Sequence, residues 1–575
     1  MRKSIFFLFI ILAVTSCTNR QLKQEIMESG LSQNIRINQL GYFPLLEKHF
    51  TVADSLASEY MIVTGQGRVV FKGKLESYGE WAPSGEYLKT GDFSKFIIEG
   101  TFFIHVPGLG NSCAFTISDN IYHAVSLASM KTFYFMRAST DIDEKYVGKF
   151  ARPGGHPDDT CWFHPSTGKD GGFISSPGGW YDAGDYGKYV VNAAIATGTI
   201  LALHELMPDV MADASLNIPE SGNGVSDLLD EVRYELEWLL TMQDEDGGVF
   251  HKLTSQFHDG ITMPAETHSK RLIIGKSSAA TLDFAALMAQ ASRAWKKTDP
   301  GFAERCLEAA KAAYAWSVAH PDSYFENPPD IGTGPYNDKI LDEEFFWAAA
   351  ELYCSSGEKT YLETIHPDLG KIQFRLEESW RNYVDNIGYY SLYKSDKLDD
   401  GSRKILEAGI VKLADSLLEI ASSNPYGIPV SRFVWGSNSD VLNTAIVMIY
   451  ANEITRELKY LNAATQYADY IFGRNATAYS FVSGFGCKTS ENFHHRLLMA
   501  DEHEECFPGF IAGGPNYQVQ DVANLKAQGV EYQSSYPAKS YIDHSGSYAS
   551  NEVCINWNAP LVFVLGYLDG YDRGR

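Results

Sequence analysis

Two periods divide the chain. From Ile35 to Ile117 apolar and polar residues alternate, as in Ile35 and Ile37, Val69-Val70-Phe71, and Phe102, Ile104 and Val106. Gly65-Gln66-Gly67 and Pro107-Gly108-Leu109-Gly110 interrupt the alternation with turn signals. A period of two belongs to half-buried strands, and about seven short ones over 34–118 predict an antiparallel sandwich. Such a module could bind carbohydrate, but more often packs on a neighbour, and nothing in its strands marks a site. After Asp119 the period becomes 3.6, predicting helices over 121–136, 188–205, 224–243, 276–296, 302–319, 343–356, 367–382, 406–421, 440–455, 458–472 and 557–568. Strand signals are sparse there and no short repeat is visible, which argues against a regular solenoid. The expectation for 119–575 is one mainly α domain, its helices closed into a toroid with loops forming a cleft at one end.

The first residues follow neither period. Arg2 and Lys3 precede an apolar run from Ile5 to Val14, too short to span a bilayer, and then Val14-Thr15-Ser16-Cys17. This end resembles the bacterial lipobox, so 1–17 is expected to be a signal peptide and Cys17 the lipidated N-terminus. An ordinary cleaved signal is the alternative. Residues 18–33 are polar and read as a tether. The protein is then exported and held only by its lipid, at the outer membrane, the cell surface or in the periplasm of a bacterium.

Charge and cysteines narrow the partners. The formal net charge of −24 repels phosphates, which argues against nucleic acid and anionic membrane surfaces but suits neutral sugars. Aromatic residues make up 13%; much of that must be core, but sugar-binding clefts also need flat apolar faces. Eight cysteines occur, and lipidation of Cys17 leaves an odd set without a CxxC pair. Buried thiols are expected rather than a disulfide framework or zinc cluster. A monomer is expected.

Candidate chemistry concentrates in three blocks. In Gly179–Tyr186, Asp182 and Asp185 lie on a Gly-loosened turn that opens into an apolar helix. Helix N–H groups and the dipole favour the charged form, so one of the two can act as a base. Plain capping is the competing reading, but Trp180, Tyr181, Tyr186 and Tyr189 surround the acids with aromatic faces. Glu552 sits among Tyr548, Val553, Ile555 and Trp557, whose apolar bulk raises its pKa and keeps a proton available for a glycosidic oxygen; a surface Glu is the bland alternative. Asp543, nine residues earlier, either supports the reacting acid from behind or is simply a loop Asp. The third block, Phe493-His494-His495-Arg496, could bind zinc, bind sugar hydroxyls, or be a surface polar cluster beside Glu491 and Asp501. Sugar binding fits it best, and Trp180, Trp435, Tyr548, His495 and Arg496 form the candidate substrate-binding set. One charged and one protonated carboxyl is a glycosidase's equipment.

These blocks resemble glycoside hydrolase family 9, the inverting cellulase family. Tyr541, Asp543, Tyr548, Glu552, Asn558 and Ala559 match its acid-bearing signature, with Cys554 where the family usually has Ser, Thr or Ala. Ser480, Val482, Ser483, Gly486, Lys488, His494 and Arg496 match its His-bearing signature, with Phe493 as the departure. Ser176 to Asp185 matches the base-bearing block, and Ile35–Tyr42 looks like the start of the immunoglobulin-like module that many members carry. The resemblance implies an (α/α)6 barrel behind an immunoglobulin-like sandwich. It implies Asp185 as general base, Asp182 as its partner in holding water, and Glu552 as general acid. His494 and Arg496 would bind sugar, and Asp543 would support the acid. Inversion implies that Asp185 and Glu552 stand roughly 6.5–9.5 Å apart. No organic cofactor is implied. Relatives often carry structural calcium, for which Thr333–Asp338 with Glu343 and Glu344 could supply ligands, chiefly Asp338, Glu343 and Glu344; an exposed acidic loop is the alternative. Arg137-Ala138 stands where some relatives place a zinc cysteine.

The function expected is endo-β-1,4-glucanase action on cellulose-like, mixed-linkage or xyloglucan chains. Exo-action by the same residues, or a non-catalytic surface glycan-binding lipoprotein, are the rivals. The latter is disfavoured because Asp185 and Glu552 are both present.

Overall fold

The computed structural model describes residues 21–375, 384–501 and 503–573. The leader with Cys17 and the C-terminal half of the helix expected over 367–382 lie outside them.

The N-terminal module contains nine strands: β1 (Ile35–Arg36), β2 (Gly41–Tyr42), β3 (His49–Ala53), β4 (Glu59–Thr64), β5 (Val69–Trp81), β6 (Glu86–Asp92), β7 (Gly100–Val106), β8 (Gly110–Asn111) and β9 (Phe115–Ile117). Their order is β1-β3-β6-β5-β4-β7-β9-β2, with β8 on β7. β5 belongs to both faces of the sandwich. It pairs with β4 through Val69–Lys74 and with β6 through Leu75–Trp81. Phe50, Tyr60, Phe93, Phe102 and Phe115 fill the space between the faces. The sequence suggested about seven strands because β1, β2 and β8 are each only two residues long.

Among the described residues, twelve helices of seven residues or more build the second domain. They are α1 (His123–Met136), α2 (Val190–Leu206), α3 (Asp227–Thr241), α4 (Ser278–Ala294), α5 (Pro300–Ala319), α6 (Asp342–Ser356), α7 (Lys359–Ile365), α8 (Asp385–Lys394), α9 (Asp400–Ser422), α10 (Ser437–Thr455), α11 (Leu458–Ile471) and α12 (Ile555–Arg573). The even-numbered helices form an inner ring and the odd-numbered ones an outer ring. Sequence dictates the division. In α2 every residue from Val190 to Leu203 is buried, as an all-round apolar helix requires. In α5 only one stripe is buried, through Phe302, Cys306, Ala310, Ala313 and Trp316. Tyr390 of α8 stacks on Tyr450 of α10 at 4.1 Å and helps close the inner ring. The eighth helix lies after the stretch expected to hold it. Pro367 sits in a 3-10 turn, 371–375 are irregular, and the inner helix begins at Asp385.

A small sheet covers one end of the barrel: β10 (Cys161–Phe163), β11 (Phe173–Ile174), β12 (Lys188–Tyr189), β13 (Phe250–Thr254) and β14 (Leu272–Lys276), in the order β11-β10-β14-β13-β12. These strands are two to five residues long, which explains their faint signal in a helical region.

The domains are joined covalently. Cys113 and Cys487 form a disulfide, so the expectation of unpaired thiols is corrected for this pair. Gln39 reinforces the joint: its side-chain oxygen accepts from the Cys487 and Lys488 amides at 2.9 and 3.0 Å, and its Nε2 donates to the Ala478 carbonyl. The sandwich therefore grips the segment that leads to His494.

Candidate active site

The segment carrying the first two acids is not a helix cap. β12 separates it from α2, which starts at Val190 with no side-chain cap. The helix-dipole argument made from sequence is thus replaced by side-chain contacts. Asp182 is buried, with Asn192 Nδ2 donating to Oδ1 at 2.6 Å and the Tyr336 hydroxyl to Oδ2 at 2.5 Å. Burial and the charge of Asp185 raise Asp182 to about 8, against the effect of these two donors. Asp185 receives the Tyr189 hydroxyl on Oδ2 at 2.7 Å, with His258 Nδ1 3.3 Å from the same oxygen. Burial works against its charge, but His258, the Tyr189 hydroxyl and the Arg496 guanidinium outweigh burial and hold Asp185 at about 2. The two acids therefore share one negative charge, which resides on Asp185 at neutral pH.

Gly184 lets the second acid approach. Its amide donates to Glu552 Oε1 at 3.3 Å, and its carbonyl accepts from the Arg496 amide at 3.1 Å and Nη1 at 2.6 Å. A Cβ at 184 would stand 2.5 Å from the His494 carbonyl oxygen and 2.8 Å from Glu552 Oε1, so any side chain would push the blocks apart. His494 and Glu552 also form an isolated β-bridge between their two segments. Burial, then the charges of Asp185 and Asp182, raise the Glu552 pKa well above the usual carboxylate range, with Gly184 and Arg496 offsetting only part. Glu552 therefore carries a proton where Asp185 does not.

These groups line one cleft of about 710 Å³, with His494, Arg496, Trp435, Tyr548, Trp557, Tyr189, Tyr336 and His258. The Trp435 and Tyr548 rings lie 5.8 Å apart, and Tyr548 is a further 5.8 Å from the His494 ring. His494 Nδ1 is 2.8 Å from the Ser545 carbonyl, which requires Nδ1–H and leaves Nε2 as an acceptor. Burial lowers its pKa, favouring this neutral form. Arg496 Nε donates to the Asp259 carbonyl at 2.7 Å, tying the His258 loop to the acids. Cys554, the departure from the family signature, sits under Asp182, where Asn192 Nδ2 contacts its sulfur at 3.2 Å.

Other expected site residues lie elsewhere. Trp180 is buried below the cleft because Glu231 takes its indole N–H at 2.9 Å and Glu235 its amide at 2.5 Å; it offers no face to a ligand. Arg137 holds this layer through ion pairs to Glu231 and Glu220, both 3.0 Å. His495 is fully buried against Phe510 and faces away from the cleft. Asp543 touches no cleft group: it accepts from the Glu491 and Asn492 amides and from Asn551 Nδ2, positioning the two segments that flank Glu552. The proposed calcium trio divides. Glu343 faces Arg375 at 3.7 Å, while Glu344 lies with Asp338 and Asp283, where burial and mutual repulsion favour protons on Asp283 and Glu344. Among the described residues no group of three or more His, Cys, Asp or Glu side chains is arranged to hold a metal ion, Asp283, Asp338 and Glu344 included. Two contributors escaped the sequence reading. Tyr336 belongs to the very stretch read for calcium, and His258 is a single imidazole in a polar turn with no signature around it.

A double-ringed helical barrel whose cleft sets a charged carboxylate against a protonated one defines a glycoside hydrolase. The profile of glycosyl hydrolase family 9 matches residues 122–565, and that of the cellulase N-terminal immunoglobulin-like domain matches 31–111. The chain belongs to glycosyl hydrolase family 9 and is an inverting enzyme. It is similar to the xyloglucan-specific endo-beta-1,4-glucanase BoGH9A of Bacteroides ovatus, 39% identical over 93% of each chain. A cellulose 1,4-beta-cellobiosidase of Acetivibrio thermocellus is 33% identical over 94% of this chain and 67% of its own. A solved structure of a Bacteroides ovatus family member superposes with a TM-score of 0.86 at 37% identity, covering 94% of this chain and 99% of that one.

Proposed function

We propose that the chain is an endo-β-1,4-glucanase acting on xyloglucan, with Asp185 as general base and Glu552 as general acid. The observation that carries the catalytic reading is the split protonation of two carboxyls lining one cleft. Tyr189 and His258 both occupy Asp185 Oδ2, leaving Oδ1 to take a proton from water. The Gly184 amide occupies Glu552 Oε1, leaving Oε2 to deliver a proton to the leaving oxygen. Asp182, neutral beside Asp185, helps hold the water without adding a second charge. His494 Nε2 accepts a sugar hydroxyl, and Trp435 and Tyr548 offer faces for sugar rings. Xyloglucan is favoured among the β-1,4-glucans by the likeness to the Bacteroides ovatus enzyme. Purified enzyme on xyloglucan, mixed-linkage glucan and carboxymethylcellulose is expected to lower viscosity early and to release α-anomers by proton NMR. Slow viscosity loss with steady disaccharide release would favour exo-action; initial β-anomers would end the mechanistic reading.

His258 sets a pH dependence. Activity requires Asp185 charged and Glu552 protonated, so the acid limb of kcat/KM follows Asp185. His258→Ala removes a group that lowers the Asp185 pKa, and the limb is expected to move upward by about one pH unit. A pH–rate profile that keeps its acid limb excludes this role.

We further propose export and lipid tethering through Cys17. The disulfide supports an oxidising compartment. Cys17→Ala is expected to release the enzyme from the membrane fraction; unchanged fractionation rejects the anchor.

A further inference from the structure

Tyr336 has a backbone φ of 43°, in the left-handed region where a tyrosine is strained. Its surroundings must hold it there for its hydroxyl to meet Asp182. Two consecutive side chains of β13 reach the loop just before it. His251 Nε2 donates to the Pro335 carbonyl at 2.8 Å. Lys252 Nζ donates to the Gly334 carbonyl at 2.7 Å, to Thr333 Oγ1 at 3.2 Å and to the Thr333 carbonyl at 3.4 Å. Its remaining hydrogen bond goes to Asn327 Oδ1 at 2.7 Å, Asn327 Nδ2 in turn donates to the Thr333 carbonyl at 2.7 Å, and the Tyr189 and Phe325 ring centres each lie 5.5 Å from Nζ.

None of these four oxygens around Lys252 is a carboxylate, yet the side chain is fully buried. Burying an ammonium without a paired anion is costly, and a neutral amide would satisfy carbonyls more cheaply. Burial pulls its pKa down to about 7, and the charge that opposes this is Asp185. Lys252 is also the cross-strand partner of Tyr189, the donor to Asp185. The cation thus stands behind both acids, bonded to the loop that serves one and within the field of the other.

We propose that Lys252 is a positioning residue for hydrolysis: its ammonium clamps Thr333 and Gly334 so that the Tyr336 hydroxyl stays in reach of Asp182. This rests on Asp182 and Asp185 being the pair that handles water. Lys252→Met fills the same space without donors, and is expected to lower kcat on soluble xyloglucan about 30-fold with KM within about twofold. Tyr336→Phe should lose a similar factor. Because both act through one hydrogen bond, the double variant should fall no further than the worse single. Multiplying losses, or a Lys252→Met enzyme with unchanged kcat, overturn the clamp. If Lys252→Met does not fold, Asn327→Ala replaces it, with an expected loss of about fivefold that vanishes in the Tyr336→Phe background; an unchanged kcat, or a loss that persists in that background, overturns the clamp. Asp185→Asn, measured alongside, separates the two levels. If it is active, the reading of the acids falls; if it is inactive while losses multiply, only the clamp does.

Discussion

Asp185→Asn is expected to lower kcat on xyloglucan by about 10⁴-fold while the folded enzyme keeps its substrate affinity. The amide matches the carboxyl in shape, so Tyr189 retains its acceptor and the turn through Gly184 is undisturbed. What disappears is the ability of Oδ1 to take a proton from water. A second consequence follows from the electrostatics, because the Asp185 charge helps raise the Glu552 pKa. Any residual activity should therefore show its alkaline limb at lower pH than the parent. Circular dichroism and ligand titration check the fold, and a variant within tenfold of the parent would remove Asp185 as the base.

Glu552→Gln is expected to cost about 10³-fold on the polymer, yet far less on an aryl β-glycoside whose leaving phenol is strongly acidic. Protonation matters only where the departing oxygen is a poor anion, as a sugar hydroxyl is. The glutamine can still accept the Gly184 N–H through its carbonyl oxygen, so the deficit should isolate the missing proton. Comparing the two substrates on one enzyme preparation makes the test internal. Equal losses on both would mean that Glu552 organises the cleft rather than supplying the proton.

The sequence displayed the acids because each lies in a compact local pattern. Asp182, Asp185, His494, Arg496 and Glu552 all reach the cleft. The helical rings were readable for a similar reason: an all-round apolar α2 and a striped α5 differ residue by residue. Partnerships across long separations left no such trace. Tyr336 serves Asp182 from 154 residues away, and a tyrosine in a Gly-Pro loop looks like any other. Trp180 misled because aromatic character is visible in sequence whereas facing is not. Two buried glutamates on α3 take both its N–H groups and turn it inward. Lys252 sits in a short strand with no signature around it, and only burial marks out its ammonium, as it does for Lys48 and Lys188.

The bond between Cys113 and Cys487 also orders the birth of the molecule. Its halves are 374 residues apart, so the sandwich is synthesised long before its covalent mate emerges behind α11. During that wait Cys161, Cys306 and Cys354 pass by as wrong partners, and all three are buried in the finished barrel. A premature bond to Cys306 or Cys354 would keep an outer or inner helix from docking, and one to Cys161 would hold back β10. Recombinant production should accordingly reward hosts that can reshuffle thiols after translation ends, with yield limited by isomerisation rather than by synthesis.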